Sequence, residues 1–350
     1  MIIEDTKYLK CIKCGKNLSL EVIEKNGKNC ISGKLKCEGC KAEWPVINSI
    51  PRLLPEELLL ELVYPRHKDF FEKNKIKTKK TGSQNKLKND TAESFGFEWL
   101  KYPKILSQFE KDWKRYFNPQ IKKEQIRNKV VADYGCGMAK HGYFIGKYKA
   151  KKYIGLDLSE AVEAAYRNTS EFSPLIVQAD IYNIPLKGEL IDLHYSIGVI
   201  HHLPDPEKGF LSITKIMKQG ARIFIWVYGR KNNKRALYLY NPVRAVTTKI
   251  PKKILYALCH VPASALHGLN LVHKGLNKIG MKKLASKVPL NYYSNFPYSF
   301  KVSDSFDVFA TPKQLYYKNE EIEAWLKHAK LKNIAILEDK YQGIKAYGTK

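Results

Sequence analysis

The chain has 350 residues, 44% of them hydrophobic, which is more than one ordinary domain needs and suits two or three, each with apolar material for a core. Its 61 Lys and Arg against 34 Asp and Glu give a formal charge of +27, which bears on partners only where it is concentrated. No uninterrupted apolar run approaches the ~18 residues of a membrane span. The start, Met1-Ile2-Ile3-Glu4-Asp5, lacks the basic-then-apolar shape of a secretory signal. The seven cysteines, Cys11, Cys14, Cys30, Cys37, Cys40, Cys136 and Cys259, are odd in number and include two C-x-x-C pairs, so a reducing, cytoplasmic setting is expected.

In chain order, the first pattern is Cys11-Ile12-Lys13-Cys14-Gly15 and, 22 residues on, Cys37-Glu38-Gly39-Cys40. A lone C-x-x-C also suits a redox dithiol. Two of them flanking a hairpin-like stretch, Leu18 to Leu35, favour a zinc ribbon in which each knuckle gives two thiolates to one tetrahedral Zn2+. Four thiolates fill the ion, so its expected role is scaffolding or substrate docking rather than catalysis, and Cys30 stands outside the set. The continuation Trp44-Pro45-Val46-Ile47-Asn48-Ser49-Ile50-Pro51-Arg52-Leu53-Leu54 resembles the end of the small zinc-binding activator subunit that partners several tRNA and protein methyltransferases. That likeness covers about residues 8 to 56, and bacterial relatives fuse the same ribbon to a methyltransferase domain.

Residues 73 to 91 are polar and lysine-rich without a periodic apolar face, and are expected to be a linker or loop. Ser94-Phe95-Gly96-Phe97-Glu98-Trp99-Leu100 and a helix through Trp113 and Phe117 follow. Two readings stand for this aromatic segment: a helix packed on the outer face of the core, or a cover that closes over a bound cofactor, as a similar segment does in the fused family.

Four acid-bearing segments come next. They are Val131-Ala132-Asp133-Tyr134-Gly135-Cys136-Gly137, Tyr153-Ile154-Gly155-Leu156-Asp157-Leu158-Ser159, Val177-Gln178-Ala179-Asp180, and Ile191-Asp192-Leu193-His194-Tyr195-Ser196-Ile197-Gly198-Val199-Ile200-His201-His202. Each short apolar run reads as a buried parallel strand followed by room for a crossover helix. Asp133, Asp157 and Asp180 then fall at the carboxyl ends of strands, where ligands sit in open α/β sheets. Gly135 and Gly137 permit a tight turn with backbone N–H groups against a ligand. A nicotinamide dinucleotide is disfavoured. The G-x-G-x-x-G spacing fails, since the next glycine is Gly142, and Asp133 would repel a pyrophosphate while attracting a ligand with an ammonium and a sulfonium.

The order of these segments resembles the nucleotide-site signature of class I S-adenosylmethionine-dependent methyltransferases of the type 11 kind. The resemblance implies an α/β, Rossmann-like fold with a seven-stranded, mostly parallel sheet, an N-terminal zinc ribbon and a basic helical insert after strand five. It implies that Asp157 takes the ribose hydroxyls of S-adenosylmethionine, that Asp180 accepts from the adenine amino group, and that the Gly135-Cys136-Gly137 turn contacts the amino-acid end. Leu158, Ile181 and Ile197, beside these acids or at the end of the fourth run, complete the expected cofactor contacts with Asp133. Ala139 departs from the family, many of whose members carry a third glycine there, and this puts the loop geometry in question. The expected boundaries are a ribbon over 1–56, a linker over 57–92, a core with its aromatic helix over 93–227, an insert over 228–312 and the rest of the core over 313–350. Within the core, a fifth strand is expected at Ala221 to Val227, a helix at Asn319 to Ala329, and strands at Ile334 to Leu337 and Gly343 to Gly348.

The charge is concentrated. From Lys208 to Ser303, 96 residues, there is no Asp or Glu, while 18 Lys and Arg occur. Leu255, Leu258, Leu266, Leu269, Leu271 and Leu276, at helix-like spacing among these bases, are expected to be buried. Such a segment suits an anionic membrane surface, a lipid-linked phosphate or nucleic acid, with the apolar content leaning toward lipid; the alternative is a helical cap over the substrate with solvated lysines.

Methyl transfer is an in-line displacement that needs an aligned nucleophile and, for oxygen or nitrogen acceptors, a base. His201 and His202, after the fourth strand, are the candidates, with His194 and Tyr195 secondary; Asp192 reads as a structural acid and Cys136 as no nucleophile. The leading expectation is a small-molecule or glycan acceptor, lipid-linked glycans included, with an enzyme that is cytoplasmic and at most peripheral at the inner face of a membrane. The whole-chain resemblance behind it is to bacterial fused enzymes of surface polysaccharide and secondary metabolite synthesis. The alternative is tRNA, because Ser196 to Leu203 and Phe224 to Tyr228 are similar to wobble-uridine carboxymethyl methyltransferases. A cofactor-sensing module without activity is disfavoured by the retention of all three acids.

Overall fold

The computed structural model describes residues 1–76, 86–231, 233–234, 236–339 and 343–350. They form two compact units. The first comprises Met1–Ile105, Phe109–Lys234 and Lys313–Lys350; the second comprises Leu106–Gln108 and Arg235–Pro312.

The first unit is built on one sheet. β1 (Leu18–Asn26), β2 (Asn29–Cys37), β3 (Glu43–Ile47) and β4 (Ile50–Leu53) make an antiparallel meander between and beyond the two cysteine knuckles. β5 (Val130–Tyr134), β6 (Lys152–Asp157), β7 (Leu175–Ala179), β8 (Leu193–Ile197) and β9 (Arg222–Tyr228) are parallel, and β10 (Lys332–Glu338) and β11 (Gly343–Thr349) return antiparallel. The spatial order is β1-β2-β3-β4-β7-β6-β5-β8-β9-β11-β10. β5 and β7 are buried along their whole length, as expected of strands covered on both faces.

The expected seven strands are there, β7-β6-β5-β8-β9-β11-β10, but the sheet has eleven. The difference arises because β4 pairs in parallel with β7, Arg52 beside Gln178 and Leu53 beside Ala179, so the N-terminal meander extends the core sheet instead of forming a separate module. Two buried polar ties hold this junction. Arg52, fully buried, donates from Nη1 to Gln178 Oε1 at 2.8 Å and from Nη2 to Glu163. Lys152 Nζ donates to Asp5 at 2.7 Å.

The stretch expected as a linker is largely helical. α1 (Glu56–Leu58), turns over Leu59–Val63 and Tyr64–Arg66, and α2 (Lys68–Lys73) bury Leu58, Leu59, Leu62, Val63 and Phe71 in the common core. α3 (Lys86–Lys101) starts within it; residues 77–85 of the expected linker lie outside the described residues. α4 (Phe109–Phe117), α5 (Lys140–Lys147), α6 (Ala161–Thr169) and α7 (Pro206–Lys215) follow, with Asp205 capping α7 by accepting from Lys208 N at 3.1 Å.

In the second unit, α8 (Asn241–Thr247), α9 (Lys252–Leu258), α10 (His260–Lys278), α11 (Lys282–Ala285) and α12 (Tyr298–Ala310) pack around Leu255, Cys259, Ala263, Phe296, Val302 and Phe306. Two sequence expectations change here. Of the six leucines expected to be buried only Leu255 is; Leu258, Leu269 and Leu271 are exposed and Leu266 and Leu276 half-buried. And Lys252–Lys278, helical through Cys259, is long and apolar enough to cross a membrane, although no single run in it is uninterrupted: its histidines, Ser264 and Asn270 break up the apolar residues without adding charge. Back in the first unit, α13 (Asn319–His328) precedes the β10–β11 hairpin.

Candidate active site

The three acids stand at the carboxyl ends of neighbouring strands, Asp133 in β5, Asp157 closing β6 and Asp180 one residue past β7. The turn after β5 follows from its glycines. Gly135 has φ +81° and Gly137 φ +52°, and a Cβ on Gly135 would lie 2.4 Å from a Val199 methyl. Ala139 adopts φ +59°, a left-handed conformation that costs an alanine roughly 1–2 kcal/mol. A third glycine would meet that geometry without the cost.

Asp157 organises the turn. Its Oδ2 accepts from Gly137 N at 2.8 Å, and its Oδ1 accepts from Ser159 N at 2.8 Å and Ser159 Oγ at 2.6 Å. Burial raises its carboxyl above the usual range, against the pull of these donors. Asp180 is buried; Lys88 Nζ of α3 reaches its Oδ2 at 2.7 Å, Asn183 Nδ2 the same oxygen at 3.2 Å and Tyr182 N its Oδ1 at 3.2 Å. Leu158, Ile181 and Ile197 are half-buried beside these strand ends, and Cys136 is buried, its thiol pushed up by burial and unsuited to attack.

Asp133 sits deeper than its sequence position suggests. Tyr153 and Tyr195 both donate to its Oδ2, at 2.9 and 2.8 Å, and burial lifts its pKa to about 7 despite them, with Asp157 adding in the same direction. An acid so held is a poor fixed anion for a cationic ligand at neutral pH. Tyr195 is thus a buried brace of Asp133. His194 is equally buried, with Nδ1 on the Tyr134 hydroxyl at 2.8 Å and its pKa lowered to about 3 by burial. Asp192 accepts from Val130 N at 2.9 Å and Lys218 at 2.9 Å, as a structural acid would.

His201 and His202 form the turn after β8 and are buried. His202 Nδ1 lies 2.6 Å from the carbonyl of Lys313. A carbonyl only accepts, so Nδ1 carries the proton and Nε2 is the basic nitrogen. The His201 ring lies 4.1 Å from His202 and 4.5 Å from Tyr228, centroid to centroid. α3 crosses the same ends. The Trp99 indole lies 3.2 Å from where a Gly137 Cβ would be, and the Phe95 ring packs against His202, tilted, with centroids 5.3 Å apart. Lys88, Phe95, Trp99, Tyr153 and Ser159 are the site residues that sequence reasoning missed as contacts, although the aromatic segment itself was visible.

Among the described residues two further groups bring together ligand atoms within 4.8 Å. One is Cys11, Cys14, Cys37 and Cys40, with Sγ–Sγ distances of 3.6 Å for Cys11–Cys40 and 3.3 Å for Cys14–Cys37. Backbone N–H groups of Lys13 and Cys14 point at Cys11 Sγ, and those of Gly39 and Cys40 at Cys37 Sγ, the pattern that stabilises bound thiolates. The donor set fits one tetrahedral Zn2+. The other, His67, Glu160 and Glu163, is already charge-matched by Arg52 on Glu163 and by Arg66 at 3.9 Å from Glu160.

Residues 132–225 match the methyltransferase domain family. A tRNA U34 carboxymethyltransferase of Campylobacter hominis is 27% identical over 134 residues, 36% of this chain and 47% of that protein. A ubiquinone biosynthesis O-methyltransferase of Coxiella burnetii is 26% identical over 148 residues, 39% of this chain and 58% of that protein. The chain thus spans about half the length of these curated relatives. A solved SAM-dependent methyltransferase from Aquifex aeolicus superposes with a TM-score of 0.39 at 13% identity, covering 69% of this chain and 96% of that one. With its acids at the ends of β5, β6 and β7 and its glycine turn between them, the stretch from Ala132 to Ile225 is a methyltransferase domain.

Proposed function

We propose that this chain is an S-adenosylmethionine-dependent methyltransferase whose acceptor is a tRNA nucleoside. The observation that supports the cofactor most directly is the pair Asp157, half-buried, and Asp180, buried, acceptors on adjacent strand ends next to the Gly135–Gly137 turn. Such a pair suits a ligand that offers ribose hydroxyls on one side and an adenine amino group on the other. Bound there, S-adenosylmethionine supplies an electrophilic methyl group. The chain's own part is to orient it through Asp157 and Asp180, to exclude water with Trp99 and Phe95 of α3, and to take the acceptor's proton at His202 Nε2, or at His201.

For the acceptor, the names of the relatives carry the choice. Besides the Campylobacter protein, a tRNA (carboxymethyluridine(34)-5-O)-methyltransferase of Arabidopsis thaliana is 27% identical over 111 residues, and these favour tRNA over the small-molecule or glycan acceptor that the sequence alone puts first. A cavity of about 720 Å³ beside the cysteine knuckles is lined by Lys13, Lys34, Lys41, Lys73 and Lys75 together with Glu43 and Glu56, which leaves it a net basic surface for a phosphate backbone. A small-molecule acceptor remains the second reading on the strength of the Coxiella relative, of which the chain covers the larger share. In either case Cys11, Cys14, Cys37 and Cys40 hold one structural Zn2+.

The test is calorimetric binding of S-adenosylmethionine by the purified chain, then labelled-methyl transfer to total tRNA with nucleoside digestion and mass spectrometry. Cofactor binding lost in Asp157→Ala and Asp180→Ala, with a methylated uridine appearing in wild-type reactions, supports the reading. Cofactor binding without any methylated nucleoside would remove tRNA and leave the small-molecule acceptor.

A further inference from the structure

Exposed apolar side chains are gathered in the second unit. Among the described residues, fifteen of the twenty exposed large hydrophobic side chains lie between Tyr238 and Tyr292. Soluble surfaces scatter such residues singly, so a concentration of this kind marks a contact surface.

Their spacing is regular. Along α9 and α10, joined in helical conformation at Cys259, the exposed residues Ile254, Leu258, Val261, Leu269, Val272 and Ile279 recur at intervals built from threes and fours, so they share one face. Val261 is 71% exposed and Ile279 69%. The residues that pack the helix inward, Leu255, Cys259, Ala263 and Asn270, follow the same rule on a different face. The helix therefore carries two stripes, one spent on the unit's own core and one on the outside. Lysines flank the outer stripe, Lys252 and Lys253 before it, Lys274 and Lys278 near its end and Lys282 and Lys283 just beyond, and no Asp or Glu occurs between Lys208 and Ser303.

We infer that this face lies on an anionic membrane surface, the α9–α10 stripe sunk into the headgroup boundary and the lysines at its ends on lipid phosphates. Charge chooses between the possible occupants. A second copy would bring two acid-free basic surfaces together, which repel. A nucleic acid would satisfy the lysines and leave the aliphatic stripe in water. Anionic lipid satisfies both. The helix is long enough to span instead, but its inner stripe, with Asn270 buried against Leu290 O at 3.2 Å, is already committed to the unit's own core, which suits a helix lying flat. This inference is independent of which acceptor the enzyme methylates.

The experiment is co-sedimentation of the full chain with phosphatidylcholine vesicles, with and without phosphatidylglycerol, across a salt series. Binding is expected only with the anionic lipid and should weaken with salt. The triple substitution Leu258→Ser, Val261→Ser and Val272→Ser, all on the exposed stripe, should weaken it by more than about tenfold, and Lys278→Gln with Lys282→Gln should flatten its salt dependence. S-adenosylmethionine affinity, measured on the same samples, should not change, which shows the variants folded. A chain that stays in solution with every vesicle overturns the inference. So does a dimer by light scattering that the triple substitution dissolves, tRNA binding that the same substitution abolishes, or resistance to alkaline extraction, which would mean a span.

Discussion

Asp133 links the strand-end chemistry to stability. Its carboxyl titrates at about 7 in the fold against an ordinary 3.8, so between those values the folded state holds a proton that the unfolded state has lost, and stability falls as pH rises through the window. His194, lowered to about 3, and His67, lowered to about 4, act in the opposite sense, because the unfolded chain binds their protons first. The contribution of Asp133 therefore appears in a difference. Urea denaturation of Asp133→Asn beside the parent should show the variant gaining relative stability from pH 4 to pH 7, and a pH-independent difference would mean that the two tyrosines hold the acid ionised. At His202, with Nδ1 spent on the Lys313 carbonyl, His202→Gln should lower kcat by about 10²-fold or more while leaving cofactor affinity intact. Equal loss of both would make it a loop brace. The positions of Asp133, Asp157 and Asp180 were legible because strand periodicity and a glycine turn fix where strands end. The clamp on Asp133 was not, since Tyr153 and Tyr195 sit on other strands and look, in sequence, like any buried aromatic.

Among elements, β4 is four residues long, and its place is set from far away in the chain. Arg52, fully buried, is committed to Gln178 and Glu163, so Arg52→Ala should strip Glu163 of its cation and leave Gln178 without its donor, at a cost of up to about 3–5 kcal/mol of unfolding free energy. A loss below about 1 kcal/mol, the range of surface pairs, would show that water enters the junction. The knuckles upstream are the second support. Elemental analysis of the parent is expected to give one zinc per chain; Cys37→Ser should abolish it and lower the thermal midpoint, whereas an unchanged metal content would sink the four-thiolate assignment. The knuckles could be read from spacing alone. The β4–β7 pairing could not, because a four-residue strand carries no periodicity and its partner is 126 residues away. The first turns of α3 fell within the expected linker for a different reason: the residues the helix buries, Ala92, Ser94, Gly96 and Glu98, are small or polar and leave no apolar rhythm.

At the scale of the whole molecule, the sequence divides by charge and the fold divides nearly there. The boundary of the second unit, Arg235–Pro312, falls within a few residues of the insert expected from composition at 228–312, whereas the ribbon, expected as its own domain, merges into the first unit. Composition can show a lysine excess, which is a property of a segment. It reports sheet continuation poorly, because a hydrogen bond between two backbones leaves no mark on either side chain. That continuation also decides how the protein stands among its neighbours. β4 arrives with β7 in every copy, at an effective concentration on the order of millimolar for strands tethered in one chain, so the sheet never waits for a separate subunit to complete it. Nor is the β7 edge left open for other strands to join. A cell that raises the dose of this protein raises the dose of its N-terminal meander in step.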